Sequence, residues 1–188
     1  STNAFTIGAN STSEPQPYQG SISNLRLVKG TAVYTSNFTP SAAPLTAVTN
    51  TKLLTCQSNR FVDNSASAHT ITQAGNASVS AFGPFLTSEV YNPAVNAASA
   101  YFDGDGDYLT TANSSDFNLS NNPFTFSFWS YFSVGGNVYG RYDYVAGNRE
   151  TLIALETNGT IRFRVSFDGA VYADHATAAG VVAYNEWN

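Results

Sequence analysis

Methionine is absent from this sequence, cysteine occurs once, and charged residues make up only 11% of it. Each shortage excludes something. A single cysteine, Cys56, cannot close a disulfide within the chain or build a cysteine-based metal knuckle, so stability has to come from packing. A free cysteine of this kind is expected as a small buried hydrophobe on a strand. Charge is far below the usual quarter or so of residues. With a net charge of -5 and a pI near 4.7, no Lys/Arg cluster is present to follow a phosphate backbone, which argues against nucleic acid as a partner. No apolar run approaches the ~18 residues that a membrane span requires, and no signal peptide is visible, so membrane insertion is not expected. Helical periodicity is missing too: no window holds apolar residues at i, i+3, i+4 and i+7 through three turns. With no Met and with strand-like residues at both ends, the chain reads as a piece of a longer polypeptide.

What is present is apolar and aromatic. Hydrophobic residues reach 43% and aromatics 14%, enough for a well-buried core in 188 residues. They recur with period two. In residues 124–132, Phe124, Phe126 and Phe128 alternate with Thr125, Ser127 and Trp129, a pattern apolar on much of both faces that predicts a central strand. In residues 160–167, Ile161, Phe163, Val165 and Phe167 alternate with Arg162, Arg164 and Ser166, which predicts a half-buried strand. Asn158-Gly159 and Asp168-Gly169 are hairpin turns by composition, because both residue types tolerate positive φ. They predict a meander over residues 152–157, 160–167 and 170–174. Shorter strands are expected at 4–8, 21–28, 52–57, 69–72, 99–102 and 108–111. Many short strands with regular turns specify an all-β sandwich or jelly roll. Pro40 and Pro44 cannot donate to a β-ladder, and the stretch they bound is expected to be a domain junction. Residues 81–98, with Pro84 and Pro93, read as an irregular excursion.

Two stretches carry a resemblance. Residues 20–40, GSISNLRLVKGTAVYTSNFTP, resemble the closing strand and tail of the laminin-G-like repeats found in large structural and fibre proteins of marine bacteriophages. Residues 53–80 and 99–132 resemble the opening of such a repeat: a first strand, the turn Asp63-Asn64-Ser65, the hairpin Phe102-Asp103-Gly104-Asp105-Gly106-Asp107-Tyr108-Leu109, then the strand that carries Trp129. Asn185-Glu186-Trp187 is similar to the strand near the middle of the same repeat. The resemblance implies a concanavalin A-like antiparallel β-sandwich, with residues 1–44 as the end of one repeat and 45–188 as the first two-thirds of the next. A tail of about 40 residues is too small to fold alone, so it either packs on material outside the chain or supplies missing strands to the second unit. The resemblance also implies a setting at the virion surface or outside the cell, in a tail-associated protein that contacts host cell-surface polysaccharide and other virion subunits. A spacer domain or a bacterial adhesin module is the alternative, since fold does not fix function.

Two clusters are candidates for chemistry. Residues 133–150, SVGGNVYGRYDYVAGNRE, read as a binding loop: Tyr139, Tyr142 and Tyr144 offer amphipathic rings beside Arg141, Asp143 and Asn148, the residue types that adaptable loops use and that sugars stack on. The competing reading is a strand near residues 141–146 with half-buried tyrosines. Residues 9–19 are a weaker loop candidate. Asp103, Asp105 and Asp107, spaced by glycines, form a hard-ligand cluster that suits Ca²⁺, although Tyr108 and Ser114 stand where an EF-hand loop needs Gly and Glu. The competing reading is a turn whose carboxylates cap backbone N–H groups. Catalysis finds little support. No Glu lies two residues before an Asp, as the acid–nucleophile strand of jelly-roll glucanases needs, and His69 and His175 have no zinc spacing. A non-catalytic module is expected.

Overall fold

A computed structural model describes residues 3–13, 15–85, 98–119, 122–143, 148–166 and 171–188. Among them are twelve strands: β1 Phe5–Ile7, β2 Gln19–Lys29, β3 Thr51–Thr55, β4 Thr72–Ala74, β5 Ser78–Ser80, β6 Ser99–Asp103, β7 Tyr108–Thr111, β8 Phe124–Val134, β9 Gly136–Asp143, β10 Asn148–Leu155, β11 Ile161–Val165 and β12 Ala173–Ala176. One turn of 3-10 helix, Ser115–Phe117, is started by the Ser114 hydroxyl, which accepts from the Asp116 N–H. No helix among the described residues is long and apolar enough to cross a membrane.

All strand pairs are antiparallel, and they form two sheets. The seven-stranded sheet runs β12-β11-β10-β9-β1-β7-β4. The five-stranded sheet is organised by β2. Its first half pairs with β6 and its second half with β3 on one side, while β8 runs along its other side over nearly its whole length. The switch of partner falls at Asn24, whose φ of +54° bends the strand. Asn24 then serves as a hub: its N–H donates to the Cys56 carbonyl at 3.0 Å, and its Oδ1 accepts from Leu45 N–H and from Gln57 Nε2. Polar atoms freed by the bend are thereby satisfied inside the protein.

Between the sheets the core is densest near β1 and β2, where Phe5, Ile22, Leu25, Leu27, Phe102 and Leu109 are fully buried. Phe5 sits between Phe117, at 4.4 Å between centroids, and Tyr139, at 4.5 Å. Toward β8, β11 and β12 the packing thins. Phe124 reaches Phe163 at 5.8 Å, but both are only partly buried, and β12 is exposed throughout.

Several expectations change. The stretch bounded by Pro40 and Pro44, expected as a domain junction, lies between strands that pair with the rest of the chain. β1 fills the gap between β7 and β9, and β2 is the spine of the second sheet, so residues 1–44 supply strands to the same sandwich as the rest. The Pro40–Pro44 stretch is an exposed connection from β2 to its neighbour β3. Among the described residues β8 pairs with β2 along its length and, at Ser130 and Phe132, with the C-terminal residues on its other side. The Asn158-Gly159 hairpin forms as its composition dictates, with Gly159 at φ +76°. Asp168-Gly169 lies outside the described residues, and the strand after it begins at Ala173, three residues later than expected.

Candidate binding surface

The tyrosine-rich segment is a strand within the seven-stranded sheet rather than a loop. Tyr139 is wholly buried between Phe5 and Phe126, at 4.5 and 4.6 Å, and burial pushes its phenol above the ordinary range. Tyr142 keeps 5% of its surface, with Tyr172 against it at 6.0 Å. Arg141 is 1% exposed and ion-paired with Glu150 at 2.7 Å, while its Nη2 donates to Asn113 Oδ1 at 2.7 Å. These three side chains tie β9 to its neighbours and present no face to a sugar in solvent. Asp143 and Asn148 pair across the β9–β10 hairpin; Tyr144 and the side chains of Asp143 and Asn148 lie outside the described residues. Residues 9–19 fold back on the same strand. Gln16 N–H donates to Asn10 Oδ1, and the Asn10 carbonyl accepts from Tyr142 N–H.

The Asp-Gly repeat is the turn between β6 and β7. Asp107 is fully buried, with Oδ2 accepting from Asp103 N–H at 3.0 Å and Oδ1 accepting from Asn76 N–H at 2.6 Å. Asp103 Oδ1 accepts from Asp105 N–H at 2.8 Å, and that bond leads the influences holding the Asp103 carboxyl below its ordinary range. The Asp103 and Asp107 carboxylates are turned to backbone donors. No group among the described residues gathers three carboxylate, imidazole or thiolate ligands for a metal ion. The calcium expectation for Asp103, Asp105 and Asp107 is corrected accordingly: Asp103 and Asp107 cap the turn.

A second polar cluster went unnoticed in the sequence. Asp116 accepts from Ser67 Oγ at 2.7 Å, meets His69 Nε2 at 3.2 Å on the same oxygen, and pairs with Lys52 Nζ at 3.1 Å. Burial raises its carboxyl pKa, but the Ser67 and Lys52 contacts outweigh burial and hold it below its ordinary range. Ser, His and Asp are all present, yet hydroxyl and imidazole address one carboxylate oxygen. The Ser67 hydroxyl donates to the carboxylate and not to the imidazole, so the three groups are not arranged as a serine–histidine–aspartate relay.

The surface that does offer itself to a ligand is the outer face of the five-stranded sheet. Along β6, Ala100 and Phe102 point into the core, so Tyr101 projects outward and is 43% exposed. Along β8, Ser130 and Phe132 are buried and Tyr131 projects to the same side, where the Ser21↔Tyr131 and Ser21↔Tyr101 registers bring the two tyrosines onto either side of β2. Phe82, 48% exposed, is held in place by its neighbours: its N–H donates to Ser80 Oγ, and its carbonyl accepts from Ser99 Oγ at 2.7 Å. Phe82 meets Tyr131 edge-on at 4.8 Å and Trp187 at 5.2 Å. Phe82, Tyr101 and Tyr131, together with Gln19, Ser21, Ser80 and Ser133, line a groove of about 310 Å³, and Trp187 supports it from the side against Phe82 and Tyr131. The indole Nε1 of Trp187 is buried, with no hydrogen-bond partner among the described residues.

No protein-family model matches the chain, and no curated protein or solved structure matches it. The groove is therefore read from its own chemistry. Rings flanked by neutral hydroxyl and amide groups suit a flat, uncharged ligand rich in C–H and O–H. Tyr101 was legible in principle, as the outward member of an alternating strand. Phe82 and Trp187 were not, since neither lies in a periodic segment that assigns its side.

Proposed function

We propose that this chain is a non-catalytic β-sandwich module of the concanavalin A/laminin-G-like jelly-roll kind, and that it contacts carbohydrate through the groove lined by Phe82, Tyr101 and Tyr131. The observation that carries this reading is the set of aromatic rings on the solvent face of the sheet, bordered by serine hydroxyls and Gln19. Aromatic faces and edges offer large, rigid apolar contact, and Tyr and Trp add a polar handle at the rim. The near-absence of charge around them suits a neutral glycan better than a phosphorylated or nucleic-acid ligand. The resemblance of residues 20–40, 53–80 and 99–132 to phage laminin-G-like repeats supports a setting at the virion surface, as a module of a tail-associated protein facing host cell-surface polysaccharide.

The test is a glycan array probed with the wild-type chain and with Tyr101→Ala. Tyr101 is exposed, so its loss leaves the fold intact. The reading expects saturable binding to a discrete group of polysaccharides, weakened by about tenfold in the variant, equivalent to ~1.4 kcal/mol. Binding unchanged by Tyr101→Ala, or no binding to any glycan, overturns it. A second reading, a structural module that joins neighbouring virion subunits, draws on an apolar cleft of about 350 Å³ lined by Phe38, Phe126, Phe128, Leu155, Ile161 and Val182.

A further inference from the structure

The outer face of the five-stranded sheet carries polar side chains of two kinds. Around the middle of β2 they are spent within the protein: Ser23 Oγ donates to the Ala98 carbonyl and Ser99 Oγ to the Phe82 carbonyl, both at 2.7 Å. Toward the Gln19 end of β2 they are not. The amide of Gln19 and the hydroxyls of Ser21, Tyr101 and Ser133 meet no hydrogen-bond partner among the described residues, and all four line the groove. A few placed polar groups in a concave site are what orient a ligand and select it. Tyr101 and Tyr131 are rooted on either side of Ser21, two strand spacings or about 10 Å apart, and Gln19 stands at the end of the floor between them.

Gln19 is also held in place. It pairs with Asp103 across β2 and β6, and after Asp103 the chain turns at Gly104, φ +89°, back over the glutamine. A Cβ on Gly104 would stand 3.0 Å from Gln19 Cβ, 3.3 Å from Cγ and 3.4 Å from Cδ. The bare backbone of Gly104 therefore lies along the glutamine stem, and a side chain there would press on it from Cβ to the amide carbon. The turn is itself fixed, because Asp107 Oδ2 accepts from Asp103 N–H and Asp103 Oδ1 accepts from Asp105 N–H. A primary amide presents a donor and an acceptor side by side, and a hydroxyl can act as either. Two adjacent hydroxyls on a sugar ring complete such an amide in one stereochemical arrangement and miss it in another. A carboxylate offers acceptors only and leaves the amide oxygen facing a like charge.

We propose that Gln19 is the specificity-determining residue of the groove: its amide reads two adjacent hydroxyls of an uncharged sugar seated against Tyr101 and Tyr131, and Gly104 of the Asp103–Asp107 turn is a positioning residue that acts through Gln19. The rings supply apolar contact that many sugars share. The amide supplies the choice among them, because a site built to hydrogen-bond a hydroxyl discriminates strongly against an analogue that lacks it. The inference rests on the carbohydrate reading above and adds to it the feature of the sugar that is recognised.

The experiment uses the full chain, the strongest-binding neutral oligosaccharide of the glycan array, and its monodeoxy analogues, each lacking one hydroxyl. Affinities are measured by calorimetry, and thermal melts check that each variant is folded. In the wild type, removing either of two neighbouring hydroxyls is expected to weaken binding by about tenfold or more. Gln19→Ala is expected to bind the parent sugar about tenfold more weakly, and in that variant the same two deletions cost no more than about twofold. Tyr101→Ala is expected to weaken parent and analogues alike, which separates ring contact from hydroxyl reading. Gly104→Ala is expected to weaken binding of the parent sugar by about fivefold in the wild-type chain and to have no further effect once Gln19 is replaced. Hydroxyl deletions that cost the same with and without Gln19 overturn its role and leave the Tyr101 groove standing. A Gly104→Ala effect that persists in Gln19→Ala overturns the positioning role. Absence of binding to any glycan overturns both this inference and the reading beneath it.

Discussion

The two flanks of the sandwich are built from similar residues and reach different degrees of closure. On the β1–β2 flank, β1 lies between β7 and β9, β2 lies between β8 and the pair β3 and β6, and Phe5, Ile22, Leu25, Leu27, Phe102 and Leu109 are fully buried. On the β8–β12 flank the seven-stranded sheet extends past its partner, and Phe163, Ile161 and Phe128 pack against the core on one side only. Their chemistry is that of core residues, and what differs is the presence of a second layer. Polar groups follow the same division. On the closed flank they are drawn inside and matched: Arg141 with Glu150 and Asn113, Asn24 with Leu45 and Gln57. On the open flank they stay at the surface, where Arg162 bridges Glu156 and Asp174, and Arg164 lies over the Tyr172 ring at 5.3 Å. Burial, more than residue type, decides what each contact is worth.

The sharpest way to break this contrast is to truncate one phenylalanine from each flank. Phe5→Ala leaves a cavity enclosed on all sides and is expected to cost about 3–5 kcal/mol, the range for buried aromatics. Phe163→Ala is expected to cost less than half as much, since its ring already borders open space. Urea denaturation of both variants checks the ratio. Equal losses would show that the open flank is covered in solution.

Next in size is the buried ion pair. Arg141→Met removes the buried guanidinium that pairs with Glu150 and is expected to cost about 3 kcal/mol, the low end for a broken buried pair because Glu150 retains some solvent. Adding Glu150→Leu takes away the carboxylate as well and is expected to recover part of the loss. A double-mutant cycle in urea separates the two effects.

The smallest effects concern pH. Asp116 and Glu156 both have carboxyls held below their ordinary range. In Asp116 burial opposes the shift and the Ser67 and Lys52 contacts prevail; in Glu156 the hydrogen bond from Arg162 leads. A carboxyl with a depressed folded-state pKa contributes stability that is complete above its unfolded value and disappears as pH falls through the folded one. Stability should thus decline below about pH 4, the unfolded carboxylate range. Asp116→Asn is expected to cost about 2 kcal/mol at neutral pH and to flatten that decline. Glu156→Gln, at a screened surface pair, is expected to change stability by less than about 0.5 kcal/mol at any pH. Thermal melts from neutral to acid pH measure both.

Much of the fold was legible wherever the chain's local chemistry and its final surroundings agree. Alternation located β8 and β11, short strands were expected where β1, β2, β3, β6 and β7 form, and Asn158-Gly159 located the hairpin that joins β10 to β11. Strand β9 was obscured by its glycines. Gly140 suggests a loop, but a Cβ there would stand 2.2 Å from the Asn10 carbonyl oxygen, so the glycine marks a close approach of backbone from residues 130 positions away in sequence. The Asp103–Asp107 turn misled for a similar reason. One of its acceptor oxygens is claimed by the N–H of Asn76, a partner no local pattern announces. The candidate site suffered most, because the side of a sheet on which a ring emerges depends on pairing. The register that sets Tyr101 and Tyr131 astride Ser21 joins three distant segments.

Cys56 lies at a buried corner after β3 with φ +59°, and burial pushes its thiol pKa up to about 12. A thiol that stays protonated and out of solvent is a poor nucleophile toward alkylating reagents and oxidants. The natural chain is therefore silent to thiol chemistry while it is folded. A cysteine substituted for exposed Ser133, at the rim of the aromatic groove, becomes a single addressable position for a fluorophore or a surface tether. Reagent uptake at Cys56 itself then serves as a clock for how often the sandwich opens.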